Sequence, residues 1–371
     1  MARKRKNKIY LIIGVILVLI LGKIVLSVAG YLPFFFQLLF NRNIELKHSD
    51  DKFNILLMGI GGGNHDGPNL TDTIIFTSLN PTVNKITMIS IPRDLWISDL
   101  KGKINSAYSS GEAVKKGGGL HLAEAVVQKI TGQNIDYGVV IDFDGFVKAV
   151  DLLGGLDINV DNTFDDYAYP ISGKEDDTCG YSSSDIAQFS ATDSADTDIQ
   201  QKFACRYAHV HFDKGLNHMD GKTALEFVRS RHSQGPEGSD FARSKRQEKV
   251  IQAFKNKIFS LQVLADPEKL VNLSGIVKAS INTDIKDTEF DDFIRLVDKM
   301  KNAKIESGVL DTGDATQNRA GLLLNPPISQ EFGYQWVLTP RKGENDFSEI
   351  QSYINCEITK GKCAISKLKA D

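Results

Sequence analysis

The chain has 371 residues, 42% of them hydrophobic and 25% charged, with a formal net charge of −3. These ordinary globular proportions exclude intrinsic disorder, collagen-like repeats and a small disulfide scaffold, and the length suffices for one large domain or two modest ones. Charge is uneven, however: residues 1–50 carry eight Lys/Arg against two Asp/Glu, and residues 51–371 carry 36 against 45. A body this acidic is a poor general binder of nucleic acid, whose affinity rests on neutralising phosphates, so no nucleic-acid partner is expected.

Residues 1–8 form a basic tail, and residues 9–30 then run almost wholly apolar for 22 residues. As a helix this stretch is about 33 Å long, enough to span the hydrocarbon core of a bilayer. Tyr10 and Tyr31 stand where an aromatic belt would lie, and Lys23 is placed to snorkel. Five basic residues before the helix predict a cytoplasmic N-terminus and an extracytoplasmic body, a single-pass protein of the cell membrane. Pro33 then breaks the helix, leaving Phe34–Phe36 at headgroup level. The competing reading is a cleaved signal ending at Ser27-Val28-Ala29, which exports the body equally. The four cysteines agree with an oxidising compartment. Cys179 with Cys205, and Cys356 with Cys363, are two sequence-local pairs able to close short loops, although four cysteines permit three pairings. Metal binding through them is the weaker option, because no C-x-x-C spacing occurs.

Residues 31–52 read as a juxtamembrane linker. Three β-branched apolar runs follow at 53–59, 73–79 and 85–91, separated by Gly/Asn/Pro-rich turns. Residues 120–130 have the period of an amphipathic helix closed by Gly132, and 137–141 return to strand character. Phe143, Phe146, Val147 and Val150 share one helical face, Gly154-Gly155 stops that helix, and 156–160 read as a strand. Residues 172–208 read as an inserted surface loop, rich in Ser, Asp, Thr and Ala. Helices are expected again at 220–228, 243–259 and 290–300, then a strand at 334–338 and a helix at 347–354. Strands alternating with helices indicate an α/β class. The spacing suggests one domain over 53–300, with 301–371 as a C-terminal extension packing on it.

Four segments carry chemistry. They are a glycine-rich loop after the first strand running to Asp66 and Asp72; Arg93-Asp94 after the third strand; Lys103-Ile104-Asn105-Ser106; and Arg229-Ser230-Arg231 followed by Asp240, Arg243, Arg246 and Gln247. Guanidinium forks suit bidentate contact with phosphate oxygens, and Arg243, Arg246 and Gln247 share a helical face at i, i+3 and i+4. In open α/β sheets, the carboxyl ends of strands border the ligand crevice, which is where Arg93 and Asp94 are expected. Asp66, Asp72 and Asp94 supply the oxygen ligands that a hard cation such as Mg²⁺ needs. No nucleophile triad is evident, and the glycine-rich loop lacks the Gly-Lys-Ser/Thr of an ATP-binding P-loop. Singly, each segment reads more plainly as a solvated helix face or a surface turn. His209-x-His211 falls on one face of a strand, but with no third ligand evident these histidines read as structural.

In order and wording, the four segments, together with 137–146 and Val150-Asp151-Leu152-Leu153-Gly154-Gly155, resemble the LytR-CpsA-Psr family of cell-envelope enzymes, over the anchor and residues 54–247. The resemblance implies a three-layer α-β-α sandwich with a central mixed sheet, and a hydrophobic tunnel for a polyprenyl chain. It implies transfer of a glycopolymer from a polyprenyl (di)phosphate carrier to a peptidoglycan acceptor, with Mg²⁺ or Mn²⁺ as cofactor. By resemblance Asp72 is the metal-associated aspartate, with Asp66 a possible second ligand; Arg93, Asp94 and Arg231 join Asp72 as catalytic residues. Arg93, Lys103, Arg229, Arg231, Arg243 and Arg246, with Asp240 and Gln247, bind the diphosphate. One departure from the family pattern is Leu70, which occupies a position usually held by arginine. Two other readings stand beside transfer: a non-catalytic scaffold for polyprenyl glycolipids, and a polyprenyl diphosphate hydrolase.

Overall fold

The computed structural model describes residues 44–365, except 64–66, 172, 175, 183, 187–200, 259, 261–266 and 315–318. The expected anchor at 9–30 and the second metal ligand Asp66 therefore lie outside the described residues. Among the described residues, no helix is long and apolar enough to cross a membrane. The chain divides into a unit of Met1–Lys47 with Ile285–Ala303, and a larger unit of His48–Asp284 with Lys304–Asp371. In the smaller unit, the helix Phe290–Lys299 buries Leu296, and Arg295 bridges Asp291 and Asp292 at 2.7 and 2.5 Å.

The larger unit is a mixed α/β fold around a six-stranded sheet. Its first three strands are β1 (Phe53–Ile60), β2 (Thr71–Asn80) and β3 (Lys85–Ser90), an antiparallel meander in which a longer loop joins β1 to β2 and a tight turn joins β2 to β3. All but two residues of Phe53–Ile60 are buried, as a central strand covered on both faces requires. After the short hairpin β4 (Trp96–Ile97) and β5 (Gly102–Lys103) come two helices, α1 (Ser106–Val114) and α2 (Gly118–Thr131). α2 buries Leu120, Ala123, Val127 and Ile130 on one stripe and stops at Gly132, whose φ of 65° lets its N–H reach the Gln128 carbonyl. The crossover delivers β6 (Tyr137–Asp142) beside and parallel to β1, with Gly59 opposite Ile141.

Asp142 caps the next helix, α3 (Phe143–Leu152), by accepting the Gly145 N–H at 2.6 Å. A second layer of structure follows: β7 (Leu156–Val160) pairs with β10 (Gly215–Met219), and β8 (Phe164–Pro170) with β9 (Tyr207–Phe212). They pack with α4 (Gly221–Arg229) and α5 (Asp240–Ile258) around a core of Phe164, Phe212, Phe227 and Val250. Helix α6 (Pro267–Ser280) runs into β11 (Ile281–Thr283), the edge strand antiparallel to β6. The disulfides pair Cys179 with Cys205 and Cys356 with Cys363.

The C-terminal reading needs correction. β12 (Lys304–Val309) pairs in parallel with β3 and completes the sheet order β11-β6-β1-β2-β3-β12, so residues after 303 belong to the same compact unit rather than to an extension. Lys-Ile-Glu-Ser-Gly-Val is too polar to announce itself as a strand. It is held by ladder bonds at the sheet edge and by a Glu306 carboxylate that takes Lys85 at 2.9 Å. Likewise the last helix, α7 (Ser348–Thr359), sends Ile350, Ile354 and Ile358 into the main core with Ile130 and Phe347. Residues 334–338 are not a strand: Tyr334 has φ 58°, Leu338 makes an isolated parallel bridge with Leu95, and Thr339–Pro340 pairs with Leu323–Leu324. At the other end, the expected linker gives way by His48. Ser49 Oγ donates to Asp136 at 2.7 Å, which ties the approach to β1 into the fold.

Candidate active site

Strands β1, β3 and β6 run parallel to one another, with β2 antiparallel between β1 and β3. Their carboxyl ends therefore meet the beginning of β2, which carries Asp72. Ile91 N–H donates to the Ile74 carbonyl at 2.9 Å, so the chain leaving β3 still runs beside the start of β2 when it turns at Pro92. Arg93 Nη1 donates to Asp72 Oδ1 at 2.5 Å. The Lys103–Asn105 segment straps this corner: Asn105 N–H donates to the Arg93 carbonyl at 3.2 Å, and its own carbonyl accepts Thr71 N–H at 3.0 Å.

Asp94 and Lys103 stand behind this corner rather than in the cleft. Asp94 is buried, its carboxylate accepts Lys103 Nζ at 2.8 Å, and its other oxygen lies 3.6 Å from Arg93 Nε. Asp94 is expected among the catalytic residues and Lys103 among those that bind the diphosphate; neither lines the cleft here, and both bear on the Arg93 fork. Burial works to lower the Arg93 pKa, but Asp72 and Asp94 outweigh it and hold the guanidinium more firmly charged than usual.

The second wall comes from the end of α4. Asp220 caps that helix through Thr223 N–H at 2.7 Å, and nine residues later Arg229 emerges into the cleft. Its guanidinium lies over the Phe143 ring at 4.5 Å, with Nη2 3.9 Å from Asp72 Oδ2. The chain then leaves the helix as Ser230-Arg231-His232. A carboxylate that sequence reasoning missed holds this turn. Asp166, with no solvent exposure, accepts Ser230 Oγ at 2.6 Å, Arg231 N–H at 3.0 Å and His232 N–H at 3.1 Å, and Ala168 N–H at 2.9 Å. Burial pushes its pKa up, but these hydrogen bonds prevail and keep the carboxyl below the usual range. Nothing in the Asp165-Asp166 dipeptide announces this role, because the donors lie 64–66 residues away.

Helix α5 separates its motif residues by burial. Arg243 and Gln247, one turn apart, line the cleft with Asp72, Arg93, Arg229 and Arg231. Arg246, expected to contact phosphate, is only 2% exposed. Its Nε donates to the Phe227 carbonyl at 2.9 Å, Nη2 to the Ser230 carbonyl at 2.6 Å, and Nη1 to the Glu237 carbonyl and carboxylate at 2.8 and 3.0 Å. It therefore satisfies the last carbonyls of α4 and positions Arg229 and Arg231 from behind. Asp240 begins α5, but its side chain lies outside the described residues. Sequence reading also missed His232 and Thr73, both part of the lining.

The lining thus carries four guanidiniums around one carboxylate, a cradle for an anion of high charge density. One buried polar atom of the lining, Gln247 Oε1, has no hydrogen-bond partner among the described residues, as expected of a group that awaits a ligand. Mg²⁺ is usually held by one or two carboxylates together with substrate phosphates. Asp72 is the one carboxylate of the described lining, and both its oxygens face guanidiniums. The donor set fits an ion that arrives with a phosphate ligand, not an all-protein cage.

Comparison with known proteins places this geometry. Residues 37–325 match the model of the LytR_cpsA_psr family. The chain is 30% identical over 236 residues to the polyisoprenyl-teichoic acid–peptidoglycan teichoic acid transferase TagU of Oceanobacillus iheyensis, covering 62% of this chain and 59% of that one. It is 28% identical over 246 residues to the regulatory protein MsrR of Staphylococcus aureus, covering 65% and 58%. The match thus spans about three-fifths of the length of these curated relatives. In fold, it resembles a crystal structure of a Streptococcus agalactiae protein at a TM-score of 0.54 and 23% identity, over 86% of this chain and 91% of that one. With a family match that takes in the sheet, the Asp72–Arg93 corner and the arginine-bearing helices, the chain belongs to the LytR-CpsA-Psr family.

Proposed function

We propose that this protein transfers a glycopolymer from a polyprenyl (di)phosphate carrier to peptidoglycan, forming a phosphodiester link outside the cytoplasmic membrane. The observation that carries the proposal is the cleft itself: Arg93, Arg229, Arg231 and Arg243 converge on Asp72 at the carboxyl end of the sheet. The name of the TagU relative supports the substrate and acceptor classes. The finer architecture is the three-layer α-β-α sandwich of the family, held at the membrane by residues 9–30 with its body extracytoplasmic.

In this reading, an acceptor hydroxyl attacks the phosphorus that bears the glycan. A new P–O bond forms to the acceptor, the bridging P–O bond of the diphosphate breaks, and polyprenyl phosphate leaves. Arg93 and Arg229 exchange their contacts with Asp72 for phosphate oxygens, which frees the carboxylate to take the hydroxyl proton or to hold a cation. Arg231 and Arg243 close on the equatorial oxygens, where charge is concentrated as the group transfers. Bound beside Asp72, Mg²⁺ or Mn²⁺ would neutralise further phosphate charge.

The test uses the full chain in detergent with Mg²⁺, a synthetic polyprenyl diphosphate sugar and a peptidoglycan oligomer, with products read by mass spectrometry. A phosphodiester conjugate, reduced roughly 10²–10³-fold in Arg93→Ala with circular dichroism unchanged, is the expected result. Leu70 at an arginine position favours one other reading, a scaffold that binds the glycolipid without reacting. Lipid recovered intact from a tight complex would establish that instead. Sugar phosphate without conjugate would point to a hydrolase.

A further inference from the structure

A second cluster of ligand-type side chains lies on the outer face of the β8–β9 hairpin. Period-two alternation puts His209 and His211 on one face of β9, and the antiparallel register sets Asp165 of β8 directly opposite His211. Asp165 Oδ1 lies 2.7 Å from His209 Nε2 and 2.8 Å from His211 Nδ1. One ligand atom from each of the three side chains falls within 4.8 Å of the other two.

We propose that Asp165, His209 and His211 bind a transition-metal ion of the Zn²⁺ type. Two imidazoles and a carboxylate suit Zn²⁺ better than the hard cations that prefer oxygen alone. Tetrahedral bonds of about 2.0–2.1 Å set ligand atoms roughly 3.3 Å apart, so each imidazole needs to move from the carboxylate by only about half an ångström to admit the ion. Each imidazole is already oriented from outside the trio. The His211 ring turns its other nitrogen, Nε2, to Asp213 Oδ1 at 3.3 Å, the outer carboxylate that commonly supports a metal-bound histidine. The His209 ring stacks on Tyr167 with centroids 4.2 Å apart and planes nearly parallel at 5°. The side chains of His209, His211 and Asp165 are 47%, 45% and 35% exposed, which leaves an entry path and room for water in the remaining coordination position.

This trio differs from a surface ion pair such as His218–Asp157, in which a single imidazole meets a single carboxylate at 2.7 Å. It also differs from the cleft, for Asp165 faces outward whereas its neighbour Asp166 faces inward and holds Ser230, Arg231 and His232. An ion that clamps β8 to β9 on the outside therefore steadies the strand that fixes the Arg231 turn on the inside.

The test is calorimetric titration of Zn²⁺ into the tag-free, chelator-treated full chain in detergent, with Co²⁺ absorption as a second probe of coordination. One equivalent should bind. Binding should weaken at least tenfold in His209→Ala and in His211→Ala, with loss of the tetrahedral Co²⁺ bands, and should survive in His218→Ala and Asp72→Asn. Asp213→Asn should weaken it by about 10–100-fold. Binding that persists in the His209→Ala/His211→Ala double variant, or that disappears in Asp72→Asn, would overturn the assignment, as would no binding at millimolar Zn²⁺. Slower amide exchange at Ser230–His232 on adding Zn²⁺ is expected; exchange unchanged at saturation would refute the coupling to the cleft.

Discussion

Replacing Asp166 by alanine tests how the arginine turn is held. The carboxylate is fully buried and accepts four hydrogen bonds, three of them from Ser230 Oγ, Arg231 N–H and His232 N–H at 2.6–3.1 Å. Hydrogen bonds to a charged group contribute about 1.5–3 kcal/mol each, and the orphaned main-chain donors then carry a desolvation cost. Arg246 would also lose a favourable charge from its buried surroundings. Because water can enter the space left behind, the full sum is not expected, and about 3–5 kcal/mol is the reasoned loss. Domains of this kind are stable by only about 5–15 kcal/mol, so the urea midpoint should fall clearly. The penalty must also depend on pH. The folded-state pKa lies below the ordinary carboxylate value near ~3.9, so the contribution of Asp166 is complete above that value and lost as pH falls through the depressed one. Urea titrations of both proteins between pH 7 and pH 3 should show a constant gap down to about pH 4 that then narrows. A gap under about 1 kcal/mol at pH 7, or one that widens in acid, would refute the reasoning.

Three further outcomes follow from the geometry. Arg243→Ala should abolish most transfer while leaving the thermal midpoint within a degree or two, whereas Arg246→Ala should cost about 3–5 kcal/mol because it orphans Glu237 and the Phe227 and Ser230 carbonyls; equal stability of the two variants would contradict the burial argument. Gly221→Ala would place a Cβ 2.2 Å from the Val147 carbonyl oxygen. Calorimetry should show roughly 1–3 kcal/mol of destabilisation, and an unchanged melting profile would mean that α4 does not begin this close to α3. Removal of the Cys179–Cys205 bridge, with a sequence separation of 26, should destabilise more than removal of Cys356–Cys363, with a separation of 7. Loop-closure entropy gives about 3.5 against about 2.5 kcal/mol, and denaturant curves of the two double-serine variants give the comparison.

Local pattern made much of the fold legible. The apolar runs of β1 to β3 and the stripe of α2 ending at Gly132 each carry their own signal, because their burial follows from period and from turn chemistry. β12 carries no such signal. Its polar hexapeptide is a strand only because β3 offers an unpaired edge, and register with a partner far away in sequence lies beyond any local pattern. The same limit falls inside the site. Sequence chemistry placed Asp72, Arg93, Arg229, Arg231 and Arg243 around an anion, and the fold brings them together. It could not separate Arg243 from Arg246, three residues apart and identical in chemistry. Only tertiary packing buries one against the end of α4 and turns the other to the cleft. Nor could it find Asp166, or see that Asp165 completes the His209-x-His211 pair, because both depend on which residues the β8–β9 register and the α4 turn bring into contact. Residue type and spacing thus determined what chemistry the chain can offer. The tertiary structure decided which of those groups meet substrate and which hold the others in place, because burial and partnership are properties of distant segments brought together.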